Sequence, residues 1–352
     1  MQTVTLKAKR FGKAVRYGCV VMMLICGMSW AGLALAAGNV SCSTTGTPTL
    51  VLGNVDALSA PPSAVTGSFT YTCTITHFTR KAYGQLCFNI GTGSASSNYN
   101  PRQLQLTGAT TNKLNFDIYQ NASGTLWGYG GIPASGNPVV VVFQVANNGS
   151  ATVTSTTNPI TDLNSAVMPG QNTALAGTYS STFSGANTAI TWSNLPNGTA
   201  NPSLCGTSSV GSFAFTASAT VVSNCKTTTS DLNFGSVSSM AAGPITGTST
   251  LNVQCTNGTP YQVGLSNGLN STGGTNRSMK STSTADLVRY DLYRDAARSL
   301  RWGNNSAAGG DTLNNQTGSG VYTPITIYGQ AFPTATVTAG NYSDTVTVTL
   351  YY

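Results

Sequence analysis

Two stretches of the chain repeat one another, and the second repeat is the shorter. Leu114-Asn115-Phe116-Asp117-Ile118-Tyr119, with Leu126-Trp127-Gly128 after it, recurs as Val288-Arg289-Tyr290-Asp291-Leu292-Tyr293 with Leu300-Arg301-Trp302-Gly303 after it. Ala176-Gly177-Thr178-Tyr179-Ser180 recurs as Ala339-Gly340-Asn341-Tyr342-Ser343. After the first copy the chain continues into a further strand-like segment, Gly211 to Val222; after the second it runs only to Tyr352. One fold is therefore expected twice, once whole and once short of its last strand. A β-domain lacking a strand exposes core and unpaired backbone, so it takes a strand from another chain.

Lys7, Lys9, Arg10, Lys13 and Arg16 precede an apolar run from Cys19 to Leu35 and the small-residue motif Ala34-Leu35-Ala36. These are the parts of a secretory signal in order, so residues 1–37 are expected to be cleaved. A membrane anchor is the competing reading, but the run is short and holds Gly, Ser and Cys. Five of the 16 basic residues and none of the 9 acidic ones leave with the signal, so 11 stand against 9, a net of +2. The basic balance thus belongs mostly to the leader and implies no nucleic-acid partner.

Export makes disulfides the expected fate of the six remaining cysteines. Cys42 to Cys73 spans 31 positions and Cys225 to Cys255 spans 30, so these are read as equivalent bridges, one per copy. That leaves Cys87 with Cys205. The alternative, a metal site, has no C-x-x-C and only one histidine, His77, to draw on. Period-two alternation in Ser68–Ile75, Thr250–Cys255 and Asp344–Tyr351 buries one face of a sheet. The fold class is all-β, as two antiparallel β-sandwiches in tandem, the C-terminal one lacking its last strand. The first spans residues 38–222, with 210–222 as its completing strand and link, and the second spans 223–352. In the completing strand Phe213, Phe215, Ala217, Ala219 and Val221 share one face.

The second copy carries a resemblance. Cys225, Leu232-Asn233-Phe234-Gly235, Cys255, Tyr290-Asp291-Leu292-Tyr293, Trp302-Gly303, Ile327-Tyr328-Gly329-Gln330 and the ending Ala339 to Tyr351 resemble a spore coat protein U domain. The first copy is similar but looser, with insertions and an extra cysteine pair. That family supplies subunits of archaic chaperone–usher pili, and a divergent N-terminal copy joined to a pilin-like one resembles their tip adhesin. The resemblance implies that both sandwiches are immunoglobulin-like. It also implies a periplasmic pilus chaperone that lends a strand, an outer-membrane usher, and the N-terminal donor strand of the next pilin as replacement. Val346, Val348, Leu350 and Tyr352 would line the strand that pairs with it. Only a few residues separate the predicted cleavage from Cys42, too few for a donor arm, so this subunit is expected at a fibre end.

Loops on a rigid scaffold are the expected contact surface, against an abiotic or host surface. Comparison of the copies locates additions. Cys73 to Gln85 is 12 positions against 6 from Cys255 to Tyr261, and Trp127 to Pro169 is 42 against 31 from Trp302 to Pro333. The loop after Trp192 has no counterpart. The candidate contact residues are Phe78, Tyr83, Tyr129, Ile132, Pro133, Trp192, Leu195 and Pro196, with packing under long loops as the competing reading for each. A Cys87–Cys205 bridge is expected to tie the first and last of these loops together. Trp127 and Trp302 occur in both copies and read as scaffold.

With no Glu, one His and no cysteine left over, no acid–base pair or nucleophile is legible, so no enzyme and no cofactor are expected. The function classes left are a pilus tip adhesin promoting attachment and biofilm formation, a secreted coat-like structural protein, and a carbohydrate-binding adhesin. The first places the protein at the cell surface after passage through the periplasm.

Overall fold

The structure, a computed structural model, describes residues 38–45, 49–59, 64–78, 80–120, 124–130, 136–157, 160–196, 200–237 and 243–352. The predicted leader lies outside them. Alternating apolar and polar residues rich in Val, Thr and Tyr favour a pleated backbone with one face buried. The described residues accordingly form strands and turns, with one short 3-10 turn at Gly185–Thr188.

The first half contains β1 (Asn39–Thr45), β2 (Thr49–Val55), β3 (Val65–Phe78), β4 (Ala82–Phe88), β5 (Arg102–Leu106), β6 (Lys113–Tyr119), β7 (Val139–Val145), β8 (Gly149–Thr154), β9 (Ile160–Val167), β10 (Gly177–Phe183), β11 (Ala189–Pro196), β12 (Ser209–Ser212) and β13 (Phe215–Val221). One sheet runs β1-β3-β9-β6-β5-β10-β13-β2, with β8 beside β3; the other runs β12-β11-β4-β7. Tyr71, Ile75, Leu86, Phe88, Phe116, Trp127 and Tyr179 are buried in one core cluster that draws on both sheets.

The second half contains β14 (Cys225–Thr229), β15 (Ile245–Cys255), β16 (Pro260–Leu265), β17 (Arg277–Ser281), β18 (Leu287–Tyr293), β19 (Leu313–Thr317), β20 (Thr323–Phe332), β21 (Tyr342–Ser343) and β22 (Val348–Tyr351). Its sheets run β14-β15-β20-β18-β17-β21 and β19-β16-β22. A separate core holds Leu251, Val253, Val263, Leu265, Tyr290 and Trp302.

Three disulfides join Cys42–Cys73, Cys87–Cys205 and Cys225–Cys255. The first and third occupy the same place. Each links directly opposed residues of an antiparallel pair, β1 with β3 and β14 with β15, at Cα separations of 4.0 and 4.1 Å. Each thereby staples an edge strand to its neighbour.

Only Val222–Asn224 separate β13 from β14. The halves are also joined laterally. Asn172 Nδ2 donates to Gly320 O at 3.0 Å and Asn257 Nδ2 to Thr173 O at 2.7 Å. Lys226 Nζ donates to Leu58 O at 2.6 Å, and Asn224 Nδ2 to Asp56 Oδ2 at 2.8 Å. Leu175 and Asn257 form a parallel bridge.

Candidate functional site

Both halves have a place for one more strand at the same point of the fold, and the two places differ. In the first half β13 lies between β10 and β2. It runs antiparallel to β10, with Phe183 opposite Phe215 and Tyr179 opposite Ala219, and parallel to β2. Strand alternation sends Phe215, Ala217, Ala219 and Val221 inward, and these and Phe213 are buried. Phe213 and Phe215 lie parallel to the Trp127 indole at centroid distances of 5.9 and 6.3 Å, and Phe215 stacks on Phe183 at 4.5 Å. β12 extends the closure along β11. Tyr179, Phe183 and Ile190 are fully buried beneath these strands.

The repeated Ala-Gly-x-Tyr-Ser motif identifies the matching strand of the second half. Tyr342 stands where Tyr179 does, Asp344 where Ser181 does and Val346 where Phe183 does. The tyrosines even make the same bond, each hydroxyl donating to the carbonyl four residues earlier, Leu175 and Thr338. Among the described residues, however, β21 pairs only with β17 and β22 only with β16. The backbone between them bonds on that same side, Leu269 N to Thr345 O and Ser266 N to Thr347 O. No strand among the described residues pairs with their other edge. Tyr342, Val346, Val348 and Leu350 are half-buried rather than buried, as are Leu232 and Phe234, which follow β14 in the place that β2 takes in the first half. Tyr352, expected on the pairing strand with Val346, Val348 and Leu350, lies just past the end of β22. It is exposed, and its hydroxyl reaches back to Asn224 Oδ1 at 3.4 Å.

Each tryptophan fastens the scaffold beside this place. Trp127 Nε1 donates to Phe88 O at 2.7 Å, and Trp302 Nε1 donates to Val263 O at 2.8 Å. The bonds make Phe88 equivalent to Val263, so Leu86, not Gln85, matches Tyr261. A buried arginine braces each tryptophan. Arg102 Nη2 donates to Trp127 O, and Arg277 Nη2 to Trp302 O, both at 2.7 Å. Arg277 also grips Asp291 at 2.7 Å, and Arg301 bridges Asp291 to Asp311. In the first half Leu126 replaces Arg301, the Arg102–Asp117 pair opens to 3.7 Å, and Arg102 Nη1 makes no hydrogen bond. Burial there outweighs the ion pair. It pushes the Asp117 carboxyl up to about 6 and the Arg102 guanidinium down to about 10. These arginines carry no sequence motif, but each precedes its aspartate by nearly the same interval, 15 and 14 positions.

The candidate contact residues occupy different environments. Phe78 is not a loop residue. It ends β3, is buried, and meets Trp192 edge-on at 6.1 Å and 82°. Pairing of Phe78 with Gly149 carries the strand past the point where local sequence suggests a loop. Trp192, Tyr83 and Tyr129 are half-buried, and Lys81 Nζ sits 4.9 Å over the Tyr83 ring. Ile132 and Pro133 lie outside the described residues, and Pro196 closes β11 opposite Ala82. Leu195 is 44 % exposed.

Cys87 does not tie two loop tips. It lies inside β4, on the outer face of its sheet, beside Val140 and Thr191. Its bridge pins the segment around Cys205 flat against that face, where Ser193 Oγ donates to Leu204 O at 2.6 Å. Gly130 N donates to Asn89 Oδ1 next to the same cysteine. The outer face so built carries Val140, Val142 and Leu195, with Leu204 above them 77 % exposed. Sequence comparison did not single out Val140, Val142 or Leu204; the run Val139–Val145 reads equally well as a buried strand.

The spore coat protein U domain model matches residues 32–185 and 212–349, omitting most of the stretch from the 3-10 turn to β12. Protein U of Myxococcus xanthus is 33% identical over 131 residues, which cover 34% of this chain and 71% of that protein. Among solved structures, a chaperone–tip subunit pre-assembly complex, CsuC–CsuE, from the archaic chaperone–usher Csu pili of Acinetobacter baumannii is 16% identical with a TM-score of 0.49; the match covers 89% of this chain and 100% of that one. The CupB6 tip adhesin of Pseudomonas aeruginosa is 12% identical with a TM-score of 0.36, covering 89% and 95%.

Proposed function

The chain belongs to the spore coat protein U domain family, and from that premise we propose that it is the tip adhesin of a chaperone–usher pilus. One observation carries this reading. The first sandwich is sealed by its own β13, while the equivalent edge of the second has no strand among the described residues and a half-buried apolar row beside it. Such an edge is a site for β-strand addition, in which backbone hydrogen bonds give affinity and alternate side chains give specificity. A periplasmic chaperone fills it first. At the outer-membrane usher, the N-terminal extension of the neighbouring pilin replaces the chaperone's strand.

The near strand of the first sandwich fits a terminal position: Asn39–Thr45 form β1, paired along its length with β3, and so are not themselves free to be lent to a neighbour. The first sandwich then faces outward from the cell surface and makes the contact that starts attachment and biofilm growth. The exposed apolar side chains of its outer face, Val140, Val142, Leu195 and Leu204, suit a weakly polar abiotic or host surface.

The test is co-expression with the cognate chaperone. Expected are an equimolar complex that is lost when the second sandwich is deleted, and immunogold labelling confined to fibre ends. Label spread over the cell surface would favour a coat-like role instead. A second sandwich that is protease-resistant without any partner would overturn the proposal.

A further inference from the structure

The strand that the first sandwich supplies to itself is a template for the strand that the second receives. Granting the acceptor reading of that groove, on which this rests, we infer that the incoming strand places a small side chain beside Asp344 and a bulky aromatic one beside Val346.

The equivalences come from geometry as well as from sequence. Gly93 and Gly268 both hold φ at +80°, and a Cβ on either would collide with the side chain of Ser181 or Asp344 respectively. Ser181 and Asp344 therefore occupy one position. In the first sandwich the residue opposite Ser181 is Ala217, and the residue opposite Phe183 is Phe215. Directly opposed residues on one face of an antiparallel pair lie about 4.5–5.5 Å apart at Cβ, close enough for each to limit the other's size.

The second sandwich changes both partners. Asp344 replaces Ser181 with a larger carboxyl group that is already engaged. Its Oδ1 accepts from Asn270 N at 3.1 Å and Nδ2 at 3.0 Å, and its Oδ2 accepts from the Tyr290 hydroxyl at 2.8 Å. Burial, and the carboxylate it donates to, hold the Tyr290 phenol well above its ordinary range, so this hydrogen stays in place. A long apolar side chain laid over the carboxylate would strip its remaining water and find no room to interdigitate. Alanine or serine fits. Val346 replaces Phe183, so the second sandwich offers a small side chain where the first offers the ring that stacks on Phe215. Close packing then requires the bulk to come from the incoming strand. Tyr342 keeps the place of Tyr179, which faces Ala219, so the incoming residue two positions after the one beside Asp344 stays small as well.

The test uses the mature full chain with a second copy of residues 211–222 appended through a turn of about four residues, which suits an antiparallel hairpin. The second sandwich should become resistant to chymotrypsin with no chaperone present. If it stays sensitive, the acceptor reading fails. If it is protected, variants confined to the appended copy decide the pattern. Ala217→Leu and Phe215→Ala there should each lower its unfolding midpoint by about 10 °C, and Ala217→Ser should not. Asp344→Asn, which keeps an acceptor and gains a donor toward Tyr290, should restore most of the midpoint lost with the leucine. Protection with unchanged midpoints for the leucine and alanine variants would overturn the inferred pattern while leaving the acceptor reading intact. Failure of Asp344→Asn to restore the midpoint would overturn the assignment of the discrimination to the carboxylate.

Discussion

Phe215→Ala attacks the closure of the first sandwich at its centre. The ring is 7 % exposed, stacked on Phe183 at 4.5 Å and parallel to Trp127 at 6.3 Å. A buried phenylalanine withdraws on the order of 200 Å² from water, worth roughly 5 kcal/mol at about 25 cal/mol per Å². Alanine keeps part of that, and the unfolded chain already hides some of it. The expected loss is about 3–4 kcal/mol, in the range for buried Phe to Ala. A domain of ordinary stability holds about 5–15 kcal/mol, so the unfolded fraction rises roughly several hundredfold. Pulse proteolysis across a urea series on the chaperone-bound chain reads this directly from fragments of the first sandwich. Thr216→Ala, on the opposite and half-exposed side of β13, should stay within about 0.5 kcal/mol. A cycle with Phe183→Ala should return a coupling of about 1 kcal/mol. A loss below about 1 kcal/mol for Phe215→Ala would falsify the assignment of β13 as the closing strand.

Removing the Cys87–Cys205 bridge as the double Ser variant opens a loop of 118 positions, for which chain entropy predicts about 5 kcal/mol at most; a fall in urea midpoint is expected, and an unchanged midpoint would sink the pinning role. Leu195→Asp with Leu204→Asp should leave unfolding within about 0.5 kcal/mol yet reduce attachment of cells to polystyrene severalfold; undiminished attachment would remove the outer face from the contact surface. The Asp117 carboxyl, raised to about 6 in the folded chain from 3.8, binds its proton more tightly folded than unfolded. Its contribution is therefore fully present below the unfolded value and lost as pH rises through about 6. The first sandwich should gain on the order of 1–3 kcal/mol from this group between pH 7 and pH 4, and Asp117→Asn should abolish that gradient in urea titrations.

The repeat and the alternation of residues 213–221 made the double sandwich and its closing strand legible, because both depend on local periodicity. What was hidden depends on distant pairing. Phe78 reads as a loop residue until β8 extends β3 to meet it, and Cys87 reads as a loop tie until β7 and β11 flank it. The valines of β7 face opposite ways in turn, Val141 buried and Val142 exposed, a distinction that a run of four valines cannot display. Arg102 and Arg277 were hidden for another reason. A buried arginine is unusual enough that its meaning appears only once the carbonyls it serves, at Trp127 and Trp302, come within reach.

Because β13 both closes the first sandwich and leads into β14, it is also the tether by which that sandwich hangs. Tension arriving from a fibre would pull along the strand, loading its ladders with β10 and β2 in shear, where all bonds resist together rather than one after another. The same pull would pass at once through Cys225 into β15 by a covalent cross-link. On the proposed reading, the pull of a neighbouring subunit would thus meet a closing strand held along its whole length.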